Sequence, residues 1–295
     1  MSVRAWSWLL LLSAIWGASF LFISIALESF GPAVVAAGRT GGAALLLAPL
    51  AWRRRAALAG RWRAVVVVAT FQLAVPFLLI GIGQRGVDSG LTGILISTQP
   101  IWMVLIAAGI GLGRPNALSV AGIVIGLAGV AALVGLPGAG AQADPAGIAM
   151  IMAAAVCYGL GMVLVRRLLP GVNPIAITGA TMAVSTVVLA PFAVASLPAQ
   201  PPTFSAVAAL VVLAAVCTAA GFVIYNRLIG EVGAQRASLV AYLSPPFAVA
   251  YGATVLAEPV GVGSVVGLAL VLLGSWACAR GSRPAPVRVP VPVTA

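Results

Sequence analysis

The stretch Ala241–Ala253, AYLSPPFAVAYGA, lies inside an apolar run long enough to cross a membrane, yet it carries two adjacent prolines. Each proline lacks an amide donor and crowds the carbonyl four residues earlier, which costs about 3 kcal/mol in a helix interior. A helix that keeps such a pair must satisfy the freed carbonyls of Ala241 and Tyr242, or use them. Which applies depends on the solvent around it, and composition decides that. Of the 295 residues, 62% are hydrophobic and 7% charged, with a mean hydropathy of +1.16, whereas a soluble domain carries about 25% charged residues. Lipid is the expected solvent, and the chain is read as an all-α integral membrane protein.

A helix needs about 20 residues to cross the hydrocarbon. Cutting at charges, prolines and glycine clusters leaves ten such runs: 5–27, 33–51, 64–84, 90–112, 117–135, 145–165, 173–196, 205–228, 237–256 and 260–279. Residues 280–295, RGSRPAPVRVPVPVTA, form a Pro-rich tail without helical periodicity and are expected to be disordered and cytoplasmic. The first span, with Arg4 before it, has the outline of a signal peptide, but its features recur in the sixth span, so it is read as a membrane helix.

The net charge of +11 comes from sixteen arginines, no lysine and five acids. These arginines sit in short clusters between apolar runs instead of forming a basic face, so no nucleic-acid partner is expected. Fourteen of them (Arg4, Arg53, Arg54, Arg55, Arg61, Arg63, Arg114, Arg166, Arg167, Arg227, Arg236, Arg280, Arg283 and Arg288) fall on one side of the predicted spans. Arg85 falls on the other, and Arg39 is inside a span. The positive-inside rule then places both termini in the cytoplasm of a bacterial inner-membrane protein. Glu28, Asp88, Asp144 and Glu258 fall outside.

The chain repeats itself. At an offset of 142, LLLAPL (Leu45–Leu50) lies over VVLAPF (Val187–Phe192), and Trp16-Gly17 over Tyr158-Gly159. At an offset of 145, Gly93, Ser97 and Pro100 lie over Ser238, Tyr242 and Pro245, while Gly122 and Gly129 lie over Gly267 and Gly274. Each unit, 1–136 and 145–279, holds five spans. An odd number inverts the second unit, and inverted repeats are a plan of secondary transporters, with the substrate between the repeats and broken helices lining it.

SAIWGASFLFISIAL in the first span, AAAVCYGLGMVLVRRLL in the sixth, and the run from Phe222 through GEVGAQRASLVAYLSPPFAVAYGATVLAEPVGVGSVVGLALVLLG resemble the two EamA repeats of the drug/metabolite transporter superfamily. The resemblance covers nearly the whole chain except the tail. It implies a ten-helix exporter of small metabolites working by alternating access, most similar in length and composition to aromatic and neutral amino acid exporters. Nucleosides, flat organic cations or other drugs are the alternative cargo. The family's acidic residue before the last span of each repeat is present as Glu258, while Arg114 stands in the matching Arg-Pro of the first half.

Pathway candidates follow from placement. Pro100, Pro245 and Pro246 free carbonyls that should face protein, ligand or water; kinks satisfied by neighbouring hydroxyls are the alternative. Ser97, Tyr242 and Ser244 lie beside them. Trp16 and Tyr158 occupy matching mid-span places, which favours a cavity wall or gate over an interfacial belt. Gln72 and Gln99 are deep in their spans; Gln72 suits a helix–helix hydrogen bond, and nothing decides for Gln99. Arg39 lies about 10 Å inside the second span, and either snorkels out to Glu28 or binds a substrate carboxylate. Gly122, Gly126, Gly263 and Gly267 are expected to brace their own repeats, with a dimer surface as the alternative.

Enzyme chemistry has little to work with: there is no His, no GxSxG, no phosphate loop and no metal-ligand cluster, and Cys157, Cys217 and Cys278 read as buried hydrophobes. No metal and no cofactor are expected. A sensor or scaffold would need longer loops. The expected partners are a small-molecule substrate and the lipid bilayer, with the monomer as the functional unit and a dimer possible.

Overall fold

A helix is the structure in which an apolar segment pairs all its own amides, so these runs have one economical answer in lipid. The computed structural model describes residues 1–113, 115–136 and 143–281, and no β-strand occurs among them. Arg114, with its place opposite Glu258, lies outside the described residues, as do Arg283, Arg288 and the tail from 282 onward.

The helices are α1 (Val3–Leu27), α2 (Pro32–Trp52), α3 (Trp62–Gly83), α4 (Ser89–Ile96), α5 (Gln99–Gly109), α6 (Ala117–Gly135), α7 (Pro145–Leu168), α8 (Pro174–Ala195), α9 (Phe204–Val232), α10 (Ala234–Ala237), α11 (Val240–Val255) and α12 (Val262–Gly281). Their starts are written in the sequence. Ser2, Asn116, Asp144, Asn173 and Thr203 accept first-turn amides with their side chains, and prolines stand in the first turns of α2, α7 and α8, where no donor is missed.

Among the described residues, nine of the ten expected runs have the length and hydropathy to cross a membrane, counting α4 with α5 as one. The ninth expected span is shorter: α11 has 16 residues, about 24 Å. Two spans contain wide π-helical turns, Thr70–Ala74 in α3 and Leu213–Ala220 in α9.

Of the two breaks expected at prolines, the one beside Pro100 is present and the one at Pro245-Pro246 is not. Between α4 and α5 the chain turns at Ser97-Thr98, and Pro100 falls in the first turn of the new helix. In the second half the helix runs unbroken through Pro245 and Pro246, and the interruption comes earlier, at Ser238-Leu239. The reason is that a proline's missing bond reaches back four residues, so this pair relaxes the first turn of α11 and leaves its own position helical.

Helix ends meet in two layers. At one end Ser29 bonds Thr203, the Asp144 amide donates to the Gly86 carbonyl, and Glu258 reaches Ser89 and Gly90. At the other end Arg54 donates to Asn173 and Arg61 to the Pro170 carbonyl.

The most extensive seam joins α6 to α12. A Cβ on Gly122 would stand 2.6 Å from the Gly274 carbonyl oxygen, and one on Gly267 2.8 Å from Leu133 Cβ. Gly126 and Gly263 face the same seam. Bracing of their own repeats, expected from sequence, holds only for Gly126, which also packs against Ile101 of α5; Gly122, Gly263 and Gly267 lock the last helix of one half against the last helix of the other, because facing glycines allow backbone-to-backbone approach. Gly122→Leu should abolish monodisperse protein on extraction, whereas Gly135→Ala, with nothing within 4 Å of the added methyl, should leave the elution profile unchanged.

Other crossings mirror one another. Gly17 lets α1 approach α11 at Phe247 and the Ser244 carbonyl; Gly159 lets α7 approach α5 at Trp102 and Met103. Gly17 and Gly159 are 142 residues apart, Trp102 and Phe247 are 145 apart, and these are the offsets of the sequence repeat.

Candidate functional site

Among the described residues, Arg39 is the one buried arginine, and it lies within the helix bundle. Eight residues into α2, it is 7% exposed. Its Nε donates to Thr218 Oγ1 of α9 at 3.2 Å, and one Nη donates to Ser19 Oγ of α1 at 3.2 Å. The guanidinium plane lies over the Phe77 ring of α3, 3.8 Å from its centroid. The route outward to Glu28 is not taken: Glu28 is exposed, and Ser19 lies nine residues deeper in α1, about 13.5 Å along the axis.

The wide turn of α9 aims one of these partners. Thr218 donates its own hydroxyl to the Leu213 carbonyl at 2.7 Å, five residues back, which leaves its oxygen lone pairs for Arg39. The matching turn in α3 releases the Ala69 carbonyl, and Ser185 of α8 donates to it at 3.1 Å.

Phe77, the ring on Arg39, belongs to one of two related aromatic pairs. Tyr158 meets Phe77 edge-on at 6.4 Å, and Trp16 meets Phe222 at 5.8 Å, with Tyr225 5.2 Å away on the same indole. Trp16 and Tyr158 are 142 residues apart; Phe77 and Phe222 are 145 apart. The aromatic frame is thus duplicated between halves, but the charge is not. At the 142 offset Arg39 faces Thr181, which is buried and donates to the Ile177 carbonyl.

The remaining sequence candidates divide. At the α4–α5 turn Ile101 pairs with Thr98, which frees the Ser97 carbonyl, and Ser275 Oγ of α12 donates to it at 2.9 Å. The Tyr242 hydroxyl donates to the Ser275 carbonyl at 3.3 Å. Ser97 and Tyr242, matched by the repeat, therefore meet on one residue away from Arg39. Ser244 donates to the Val240 carbonyl at 2.6 Å; it and Pro245 are buried. Pro246 is exposed, on the helix stripe shared with Leu243 and Ala250. The Gln72 amide points to Met162 Sδ at 3.9 Å, and its Cβ packs where Gly161 has none. Gln99 and Pro100 are half-buried in the first turn of α5.

Ser275→Ala should leave the buried Ser97 carbonyl without a donor, a cost of about 1–3 kcal/mol. A lower thermal midpoint in detergent, with flux through the folded fraction unchanged, is the expected result.

A second polar centre lies at the end of the bundle. Glu258, in the connection between α11 and α12, accepts from the amides of Ser89 at 2.7 Å and Gly90 at 2.9 Å, clasping the N-terminus of α4. Asp88 is beside it. Burial, and secondarily the Glu258 charge, push the Asp88 carboxyl above its ordinary value. Ser89 Oγ is buried with no hydrogen-bond partner.

Two surface pockets lie apart from Arg39. One, of about 240 Å³, is lined by Arg4, Trp8, Arg227, Leu228 and Glu231; the other, of about 260 Å³, is an apolar groove beside Trp6, Tyr242 and Trp276. No cluster of His, Cys, Asp or Glu suited to a metal occurs among the described residues.

Sequence reasoning missed Ser19, Phe77, Thr218 and Phe222. The Phe77–Phe222 match was available at the 145 offset; Ser19 and Thr218 carried no signal, because only the fold brings α1 and α9 to Arg39.

Comparison with known proteins bears on what this arrangement does. The profile of the EamA-like transporter family matches twice, over residues 4–135 and 145–279. An uncharacterized transporter of Archaeoglobus fulgidus is 26% identical over 281 residues, covering 94% of this chain and 99% of its own. A protein of Streptantibioticus cattleyicolor named a probable terminal-alkyne amino-acid exporter is 28% identical, covering 90% and 92%. One solved crystal structure superimposes with a TM-score of 0.64 at 18% identity, covering 94% of this chain and 96% of that one, which shows a shared fold.

Proposed function

Given that the chain belongs to the EamA-like transporter family and is a multi-pass membrane transporter, we propose that it exports small amphipathic carboxylates, aromatic and neutral amino acids among them, across the bacterial inner membrane by alternating access. The observation that carries this reading is Arg39: a buried cation held by two hydroxyls and a ring face, with no acid among its partners in the described residues. A lone charge at that depth is costly unless an anion visits it. The relative named as an amino-acid exporter supports the cargo class.

Alternating access is supported by the two family matches and by the mirrored crossings of Gly17 and Gly159. Two inverted five-helix repeats, with α11 as the ninth crossing, interconvert two similar conformations that open to opposite sides. Arginines at the ends of α1, α2, α7 and α9 support cytoplasmic termini, with the end bearing Asp88, Asp144 and Glu258 outside. The monomer contains the whole site. No carboxylate lies at mid-span, Glu231 standing in the last turn of α9 beside Arg4 and Arg227, so an acidic relay past Arg39 has no residue to use, and transport runs down the substrate's own gradient.

Purified protein in proteoliposomes loaded with unlabelled phenylalanine or leucine should take up the labelled compound by counterflow, and should continue to do so with equal pH on both sides. No counterflow with any carboxylate in a broad panel would reject the reading.

A further inference from the structure

The charge inventory at Arg39 constrains the cargo further. The chain has five carboxylates, and all five have places elsewhere. Glu28 is exposed at the end of α1; Asp88 and Glu258 gather at the start of α4; Asp144 caps α7; Glu231 lies with Arg4 and Arg227 at the opposite end. The centre therefore holds one positive charge and no negative one.

Its unspent polar groups point the same way. One Nη of Arg39 and the Tyr158 hydroxyl have no hydrogen-bond partner among the described residues, and Ser19, which accepts from Arg39, donates to nothing there. These groups suit a carboxylate. An ammonium group finds hydroxyl lone pairs there but no anion. The Phe77 face, which would attract a cation, is already covered by Arg39. Of the three buried polar side-chain atoms without a partner among the described residues, the one amide oxygen is Gln84 Oε1, whose NH2 group is tied to Phe20 and Ser24. Ser24 lies five residues beyond Ser19, about 7.5 Å along α1, too far for an α-ammonium two bonds from the carboxylate carbon.

We infer that the site ranks monoanions first: carboxylates without an ammonium group, carried on a flat or apolar body that lies beside the Phe77 and Tyr158 rings. This rests on the reading of Arg39 as the carboxylate anchor. A monoanion neutralises the buried cation, whereas a zwitterion leaves the net charge in place and adds an unpaired ammonium. An anion moving outward is also driven by an inside-negative membrane potential, and a zwitterion is not.

The test compares 3-phenyllactate, L-phenylalanine and 2-phenylethylamine, which share a ring, on the full chain in proteoliposomes. Phenyllactate should half-saturate counterflow at a concentration at least about ten-fold below phenylalanine, and phenylethylamine should not compete. An inside-negative potassium diffusion potential should speed phenyllactate efflux and leave phenylalanine efflux unchanged. If phenylalanine matches or outranks phenyllactate while Arg39→Lys weakens both, the preference for monoanions is overturned and the carboxylate anchor stands. If phenylethylamine competes as well as either acid, the anchor itself falls, and the preference with it.

Discussion

Arg39→Gln is expected to lower carboxylate efflux by about a hundred-fold, the scale of removing one partner from a buried charge pair, without lowering the thermal midpoint of the purified protein. The two halves of that result belong together. A buried guanidinium without a counter-ion destabilises the empty fold, since two hydroxyls and one ring do not repay its desolvation. Glutamine still reaches one hydroxyl and carries no charge. Stability should therefore hold or rise while transport collapses, the pattern of a residue kept for function at a cost to the fold. Arg39→Lys keeps the charge and loses the planar fork, so an intermediate flux is expected. A fall in thermal midpoint matching the fall in flux would mark Arg39 as structural. Flux and thermal unfolding measured on the same preparations check this.

Glu258→Gln is expected to release the outer end of α4. The carboxylate accepts two amide bonds at 2.7 and 2.9 Å, each worth about 1.5–3 kcal/mol when the acceptor is charged. Glutamine offers one carbonyl oxygen and presents its own N–H groups to the second amide. A loss of about 2–3 kcal/mol shifts the balance between closed and open outer ends by about a hundred-fold toward open. Modification of a cysteine that replaces Ser89, whose buried hydroxyl has no hydrogen-bond partner and whose amide donates to Glu258, should be slow with Glu258 present and fast with Gln.

The neighbouring Asp88 makes closure depend on external pH. Its carboxyl is raised by burial and by Glu258, so the closed end favours the protonated form. The contribution to closure is fully present below the ordinary value of 3.8 and is lost as pH rises through the raised one. Acidifying the outside within that window should close the outer end, and Asp88→Asn should remove the dependence.

The helices were legible because lipid leaves an apolar run one way to pair its amides. Nine spans of that kind stand close to their expected bounds. Partners across the bundle were less legible. The glycines of α6 and α12 announced a close seam, but a small-residue stripe does not say which helix it meets, and these meet across the two halves. Pro245 and Pro246 announced a weakened helix, but the interruption lies at Ser238-Leu239, because a proline acts through the carbonyl four residues back. The wide turns at Thr70–Ala74 and Leu213–Ala220 left no mark in the sequence, since they arise from packing between spans. Of the site itself, Arg39, Trp16 and Tyr158 stood out by being polar or aromatic at mid-span. Ser19 and Thr218 are ordinary hydroxyls until the fold places them 3.2 Å from the guanidinium.

Transport by this scheme requires that the surroundings of Arg39 open in turn to each side of the membrane and receive a carboxylate. Ser19→Cys, in a chain whose Cys157, Cys217 and Cys278 are replaced by alanine, puts a thiol beside that guanidinium. Labelling with a membrane-impermeant maleimide should proceed from the outside and, in inverted vesicles, from the inside, and 3-phenyllactate should slow both while 2-phenylethylamine slows neither. Labelling from one side only, or from both with no protection by the carboxylate, would contradict the claim.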